Sequence, residues 1–220
     1  FKKNPQEFQF LGVFFYKKKE EKIMCGIYFY KGTKHSWESL ESDVSKIAYR
    51  GPDNTHREMI GNDVLFSFHR LAIMGTTAMG NQPMKHPNDE SLTLICNGEI
   101  YNYKDLAEKY GFNLVTDSDC EIILCLFKQF GIVKTVQELD GVFMFVIHDA
   151  NTNQLFAGRD PMGIRPGFIG SDCGEFMIAS EAKPMVNHCS DIMPFSPGSI
   201  DLEYAQHVAD HLGTKHHQFE

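Results

Sequence analysis

One cysteine of the sequence has the position of a nucleophile that carries its own base. Cys25 directly follows Met24, so removal of the methionine would leave a thiol and a free α-amino group on the same residue. An α-amino group titrates at about 7.7–8.0, so part of it is free base near neutral pH and can accept the thiol proton. Cys25 also fits a buried cysteine of a β-strand, since the apolar residues 27–30 follow it, and the dipeptide alone favours that simpler interpretation.

Two residues that follow an apolar run could stabilise the negative charge that forms when a thiolate attacks a carboxamide. Asn97 offers a side-chain amide, and Gly98 offers a backbone N–H with no Cβ beside it. Together they have the parts of an oxyanion hole. An ordinary Asn-Gly turn is the alternative interpretation of the pair, and the sequence alone favours it.

Three charged residues could bind charged groups of a ligand. Arg70 follows a predicted strand and could hold a carboxylate through two parallel hydrogen bonds, or form a surface ion pair. Asp119 could accept from an ammonium group or cap the helix that follows it, and the two roles are compatible. Glu99 is a weaker candidate of the same kind.

Composition and motifs argue against several classes of partner. A net charge of −8 with no basic stripe disfavours nucleic acid, and no apolar run reaches the roughly 18 residues that span a membrane. Six cysteines without a CxxC pair are typical of reduced thiols and predict a cytoplasmic protein. We predict no metal site, because no cysteine or carboxylate completes a zinc set with the four histidines near the C-terminus, His207, His211, His216 and His217.

Strands dominate the middle of the chain, and helices lie between them. Ser36 can cap a helix whose apolar residues continue at helical spacing to Ala48. A second helix is predicted from Asp119 to Phe130, with Gly131 as its C-cap, and a short one over residues 104–110. Strands are expected over residues 25–30, 64–73, 92–96, 142–147, 154–158 and 175–179. This pattern predicts an α+β fold with mostly antiparallel pairing.

Eight short stretches give residues 24–198 a resemblance to the glutaminase domain of glutamine-hydrolysing asparagine synthetases, which are class II glutamine amidotransferases. Their order and spacing match as well as their residues. The stretches are Met24-Cys25-Gly26-Ile27, Arg50-Gly51-Pro52-Asp53, His69-Arg70-Leu71-Ala72-Ile73, Asn97-Gly98-Glu99-Ile100-Tyr101-Asn102, Ser118-Asp119-Cys120-Glu121, Leu139-Asp140-Gly141-Val142-Phe143, Gly158-Arg159-Asp160 and Ser180-Glu181-Ala182-Lys183.

The resemblance implies a fold and a catalytic apparatus. The fold would be a four-layer αββα sandwich of antiparallel sheets, the N-terminal-nucleophile hydrolase fold. Cys25 would be the nucleophile with its freed amine as the base, and Asn97 and Gly98 would form the oxyanion hole. The products would be glutamate and ammonia.

The resemblance also implies how glutamine binds and who receives the ammonia. Arg70 would hold the α-carboxylate, and Asp119 with Glu99 would hold the α-amino group. The main chain from Arg70 onwards would line the same pocket through Leu71, Ala72, Ile73 and Met74. Ammonia would pass to a synthetase domain that activates aspartate with ATP and magnesium. This chain would itself hold no cofactor, and a homodimer is left open.

The two ends of the chain and two internal stretches depart from the family pattern. Residues 1–23 are expected to lie outside the mature domain, as an artefact or a cleaved propeptide, and residues 199–220 resemble a piece of the synthetase domain without its Ser-Gly-Gly-x-Asp-Ser loop. Residues 74–77 and Gly167 also differ from the usual residues of the family. Two alternatives therefore remain, a non-catalytic remnant that binds glutamine or a partner, and the glutaminase subunit of another class II amidotransferase.

Overall fold

Antiparallel strands make up most of the part of the chain that the structure describes. A computed structural model of the protein describes residues 24–72 and 77–195. The predictions for residues 1–23 and 199–220, and for Ile73 and Met74, lie outside the described residues. The strands are β1 (Gly26–Lys31), β2 (Asn54–Ile60), β3 (Val64–Arg70), β4 (Met84–His86), β5 (Asp89–Ile100), β6 (Gly141–Asp149), β7 (Gln154–Arg159), β8 (Phe168–Asp172), β9 (Glu175–Ala179) and β10 (Asp191–Pro194). The helices are α1 (Trp37–Val44), α2 (Tyr103–Tyr110) and α3 (Glu121–Glu138), with 3₁₀ turns at Ser45–Arg50 and Ala78–Gly80.

The strands form two sheets in which neighbouring strands pair antiparallel. The larger sheet has six strands in the order β10-β8-β9-β1-β3-β2, and the smaller has four in the order β4-β5-β6-β7. In the larger sheet β1 lies between β3 and β9. The strand that follows Cys25 is therefore a central strand, supported on both edges.

Alternation along β1 shows how the layers are stacked. Ile27 and Phe29 point into a core shared with Ile95 and Val146 of the smaller sheet, whereas Tyr28 points to the opposite face of the larger sheet. There it packs in a second core with apolar residues of α1 and of the turn Ser45–Arg50.

The smaller sheet has the same arrangement on its outer side. Leu94 and Phe145 pack against Leu106 of α2 and Ile123 of α3 in a third core. Helices thus cover the outer face of each sheet, which confirms the predicted α+β architecture of four αββα layers.

Local signals predicted the first helix well. The Ser36 side chain accepts a hydrogen bond from the Ser39 N–H at 3.4 Å, which satisfies one of the free donors at the start of α1. The predicted helix to Ala48 is continuous in the chain, but its last part winds as the tighter 3₁₀ turn Ser45–Arg50.

The predicted end of the helix at Gly131 is confirmed, whereas four strands were not predicted. Gly131 has the non-helical φ of 74° and interrupts α3 there, and a second helical segment continues beyond this kink to Glu138. The Thr135 hydroxyl donates to the Gly131 carbonyl at 2.9 Å and closes the first turn after the kink. The strands β2, β4, β8 and β10 were missed, and β2 shows why: it is a mostly exposed strand at a sheet edge and lacks a clear apolar alternation.

No helix in residues 24–72 and 77–195 is long and apolar enough to cross a membrane.

Candidate active site

Most of the predicted site residues meet around one cavity between the two sheets. The cavity is lined by residues predicted from the sequence, namely Cys25, Arg70, Leu71, Asn97, Gly98, Glu99 and Asp119. It is also lined by residues that were not predicted, among them Met24, Gln82, Cys96, Cys120 and Arg165. The N–H of Ala72 donates to Asp53, and Ala72 lies beyond this lining.

The Cys25 thiol lies against the backbone that follows β3. Leu71 donates its N–H to the Cys25 Sγ at 3.3 Å, and the thiol donates to the Leu71 carbonyl at 3.5 Å. Burial raises the pKa of the Cys25 thiol, while the Leu71 N–H and the charges of Arg165 and Arg70 act in the opposite direction. Because burial dominates, the thiol is protonated at neutral pH and needs a base before it can attack.

Arg50 holds the main chain of Cys25, which sequence reasoning did not foresee. Its Nε donates to the Cys25 carbonyl at 3.1 Å, and its Nη1 pairs with the Glu181 carboxylate at 2.9 Å. The Arg50 side chain is 9 % exposed and that of Glu181 is 20 % exposed, so the ion pair is partly shielded from water. Arg50 therefore holds Cys25 through its carbonyl group, and this hydrogen bond does not involve the Cys25 nitrogen or the residues before it.

Two other residues of the same turn, Gly51 and Asp53, support the chain segment that follows β3. Asp53 accepts the Ala72 N–H at 2.8 Å and donates its own N–H to the Arg70 carbonyl at 3.0 Å. A Cβ on Gly51 would lie 2.1 Å from the His69 carbonyl oxygen, so only glycine permits this approach. Nothing in the sequence indicated these distant partners of Gly51 and Asp53.

The free edge of β5 faces the cavity. Cys96 bonds to the Gln82 side chain through both its N–H, at 2.5 Å, and its carbonyl, at 3.3 Å. Four residues later the Ile100 N–H donates to the Asp119 carboxylate at 2.6 Å. Since backbone groups two residues apart point to the same edge of a strand, the N–H of Gly98 points between these two anchors.

Asn97 and Gly98 lie within β5, opposite Met144 and Phe143 of β6, so the Asn-Gly turn is excluded. The Asn97 side chain is 2 % exposed, and its Nδ2 is buried with no hydrogen-bond partner. A buried donor without a partner is costly and rare in folded proteins. At the wall of a cavity beside a thiol, it is available to a developing oxyanion.

Arg70 is 7 % exposed, so it is a buried side chain and not half of a surface ion pair. Its Nη1 donates to the Thr77 carbonyl at 2.8 Å and to the Asn81 side chain at 2.6 Å. These two acceptors fix the guanidinium at the wall of the cavity. Both acceptors, Thr77 and Asn81, follow residues 73–76 in the sequence. They are close to Arg70 along the chain but lie outside every predicted strand and helix.

Asp119 does not cap α3, because the helix begins at Glu121 with Cys120 as its N-cap residue. Instead its carboxylate accepts from the Ile100 N–H of β5. Burial raises the pKa of the Asp119 carboxyl, and the nearby charge of Glu99 acts in the same direction. An ammonium group placed between these carboxylates would relieve both effects.

Glu99 is paired with Arg165, which was not among the residues predicted for the site. Arg165 Nη2 lies 3.1 Å from Glu99 Oε1, and its Nη1 contacts the Met24 sulfur. Met24 thus occupies part of the cavity beside Cys25. Within residues 24–72 and 77–195, no group of three or more histidine, cysteine or acidic side chains is arranged to hold a metal ion.

The fold and the cavity define a class. An antiparallel αββα sandwich with a cysteine directly before its central first strand is the arrangement of the N-terminal-nucleophile hydrolases, and the cavity places a buried amide and side chains of both charges near that cysteine. The model of the glutamine amidotransferase domain matches residues 24–215. The chain therefore belongs to the glutamine amidotransferase family.

The chain is also similar to full-length relatives in sequence and to a solved structure in fold. The chain is 36 % identical over 209 residues to the asparagine synthetase [glutamine-hydrolyzing] of Gallus gallus, covering 90 % of this chain and 37 % of the relative. It is 39 % identical over 192 residues to a probable asparagine synthetase of Acanthamoeba polyphaga mimivirus, covering 82 % and 34 %. The chain thus spans about a third of the length of these relatives. Its fold resembles that of a glutamine phosphoribosylpyrophosphate amidotransferase from B. subtilis, with a TM-score of 0.50 and 23 % identity over 74 % of this chain and 37 % of that one.

Proposed function

We propose that this domain hydrolyses glutamine to glutamate and ammonia at Cys25, and that in a full-length enzyme the ammonia serves the conversion of aspartate to asparagine. The observation that carries the proposal is the meeting, in one cavity, of a thiol, an unpartnered amide donor and buried groups of both charges. A thiol and an oxyanion donor suit attack on a carboxamide, and paired charges suit an α-amino acid.

The reaction begins with proton transfer within one residue. After removal of Met24, the free α-amine of Cys25 takes the proton from Sγ, and the thiolate attacks the side-chain carbonyl carbon of glutamine. The oxyanion is held by Asn97 Nδ2 and the Gly98 N–H. The C–N bond then breaks, the proton passes to the leaving nitrogen, and ammonia departs. Water hydrolyses the thioester, which releases glutamate and restores the thiol.

The ends of glutamine would be recognised by the charged groups of the cavity. Arg70 holds the α-carboxylate, and Asp119 with Glu99 holds the α-ammonium. The main chain of Leu71, Ala72, Ile73 and Met74 completes the wall beside Arg70. An ammonium beside Asp119 would lower the raised pKa of its carboxyl, so substrate binding favours the ionised form that it needs.

The mature domain would begin at Cys25. The carbonyl of Cys25 is fixed by Arg50, so the residue keeps its place when the chain before it is removed. Met24 lies against Arg165 inside the cavity, where glutamine must bind. A chain that retains Met24 or residues 1–23 has a planar amide in place of the basic amine, and we expect it to be nearly inactive.

The synthetase step belongs to another domain. The Ser-Gly-Gly-x-Asp-Ser loop expected for pyrophosphate does not occur in the sequence, so the residues present do not fit ATP and magnesium. We propose that a synthetase domain supplies that site and receives the ammonia, that this domain holds no cofactor or metal of its own, and that the protein is cytoplasmic.

The test is glutaminase activity of two forms of the chain whose N-termini are read by mass spectrometry. A form that begins at Cys25 should release glutamate and ammonia in equal amounts, and a form that keeps residues 1–24 should not. Cys25→Ala should abolish the activity, whereas Cys173→Ala, at an exposed cysteine outside the cavity, should retain it. Equal activity with residues 1–24 intact would refute the role of the α-amine. Glutamine binding without any turnover by the form that begins at Cys25 would favour a non-catalytic remnant.

A further inference from the structure

Arg165 reaches the cavity from a loop whose backbone is held by several hydrogen bonds. Asp160, 4 % exposed, accepts the N–H of Ile164 at 2.8 Å, of Arg165 at 3.1 Å and of Phe143 in β6 at 3.2 Å. Arg159 donates to the Arg165 carbonyl at 2.6 Å. The backbone of Arg165 is thus fixed on both sides, by groups that do not involve its own side chain.

The guanidinium of Arg165 forms an ion pair with the carboxylate of Glu99. Its side chain is 12 % exposed, whereas that of Glu99 is 36 % exposed and would otherwise sample several rotamers in water. Arg165 pairs with Oε1 of Glu99. A carboxylate has two oxygens with several acceptor sites, so Oε2 is left for a ligand.

The charged side chains that line the cavity balance one another, and the pair of Arg165 with Glu99 contributes to this balance. Arg70 and Arg165 contribute two positive charges, and Glu99 and Asp119 contribute two negative ones. A balanced set of this kind suits a zwitterion. The charge of Glu99 already raises the pKa of the Asp119 carboxyl. Without Arg165 that charge would be uncompensated, and its repulsion of ionised Asp119 would be stronger.

We propose that Arg165 is a positioning residue, which fixes Glu99 at the α-ammonium end of the cavity and sets the preference for an amino acid over the corresponding deaminated acid. The proposal rests on the proposed function, because it assigns the α-ammonium of glutamine to Glu99 and Asp119. Arg165 acts through Glu99 and takes no part in bond breaking.

Kinetics of Arg165→Met provide the first test. We expect the KM for glutamine to rise about fivefold to tenfold, as for loss of one partly buried ion pair, with kcat changed less than threefold. Arg165→Lys should restore most of the binding, because it keeps the charge. The loop should survive, since its bonds use the backbone of Arg165. The matched control is Arg57→Met, which breaks the exposed pair of Arg57 with Glu41 and should change neither constant.

Two further measurements separate positioning of Glu99 from a general structural role. In a Glu99→Gln background, Arg165→Met should have little additional effect on KM. Glutamate carries an α-ammonium and glutarate does not, so Arg165→Met should weaken competitive inhibition by glutamate and leave inhibition by glutarate unchanged. An equal loss for both inhibitors, or the same rise in KM with and without Glu99, would overturn the proposal.

Failure of the proposal and failure of the proposed function give different results. If the unmodified domain beginning at Cys25 does not hydrolyse glutamine, the proposed function fails. If it does, and Arg165→Met lowers the KM, then Arg165 competes with the ammonium for Glu99 and the positioning role alone is wrong. Calorimetric titration of glutamate into the Cys25→Ala protein measures the same preference without turnover.

Discussion

Replacement of Asn97 by alanine should affect activity and stability in different ways. The side chain is buried in β5, and its Nδ2 has no hydrogen-bond partner. In the resting protein that donor therefore contributes no bond, and burying it without a partner costs about 1–3 kcal/mol. In the proposed tetrahedral state the same donor binds a full negative charge.

The two effects can be given magnitudes. Loss of one oxyanion donor typically lowers kcat by about 10²–10³, or about 2.7–4 kcal/mol of transition-state stabilisation. The folded state loses some van der Waals contact but also loses an unsatisfied donor. We therefore expect the free energy of unfolding of Asn97→Ala to stay within about 1 kcal/mol of the unmodified domain, or to increase.

Glutamate release and urea denaturation measure the two quantities. Leu94→Ala is a control on the same strand: this fully buried residue packs in the core beneath α3, and its truncation should cost about 2–5 kcal/mol. That variant shows that the denaturation assay is sensitive. Turnover of Asn97→Ala within threefold of the unmodified domain would refute the oxyanion role. A fall of more than 2 kcal/mol in unfolding free energy, parallel to the fall in turnover, would show that Asn97 acts in the fold instead.

Three other predictions address binding, backbone geometry and pH. Arg70→Ala should raise the KM for glutamine far more than it lowers kcat, because a carboxylate is held alike in the ground and transition states, and steady-state kinetics with the reverse pattern would exclude that role. Gly98→Ala should lower both activity and thermal stability, since its Cβ would lie 2.6 Å from the Val142 carbonyl oxygen of β6, and a fully active, equally stable variant would contradict that packing. Burial lowers the pKa of His69 below its unfolded value, so the unfolded state binds more protons and the free energy of unfolding should fall as pH drops below about 6.5. Denaturation at pH 5 and pH 7.5 checks this, and His69→Gln should flatten the difference.

Local signals in the sequence predicted those elements whose causes are local. Ser36 bonds to a donor three residues away, and the hairpin of β6 and β7 joins two apolar runs through a polar turn. The extent of β5 was underestimated, because Asn97 and Gly98 have turn propensity that the pairing with β6 overrides.

The sequence predicted many of the residues that line the cavity, but not the side chains that hold those residues in place. The resemblance to a family named the thiol, the oxyanion donors and the charged groups, and the structure brings them together. The resemblance indicated no partner for Arg50, which contacts Cys25 across 25 residues of sequence. It also indicated none for Arg165, which contacts Glu99 across 66 residues. Such contacts depend on how the two sheets are stacked, and neither periodicity nor a local motif encodes that.

The central claim is that Cys25, as the first residue, is the nucleophile of a glutaminase. A glutamine analogue with a diazoketone in place of its carboxamide alkylates an activated thiol, with loss of dinitrogen. After reaction with the form that begins at Cys25, peptide mass spectrometry should find one adduct, on Cys25 and not on Cys96 or Cys120, the other thiols that line the cavity. Activity should fall in proportion to that adduct, and a form that retains Met24 should react far more slowly. An adduct on Cys120, or full activity after complete alkylation of Cys25, would contradict the account.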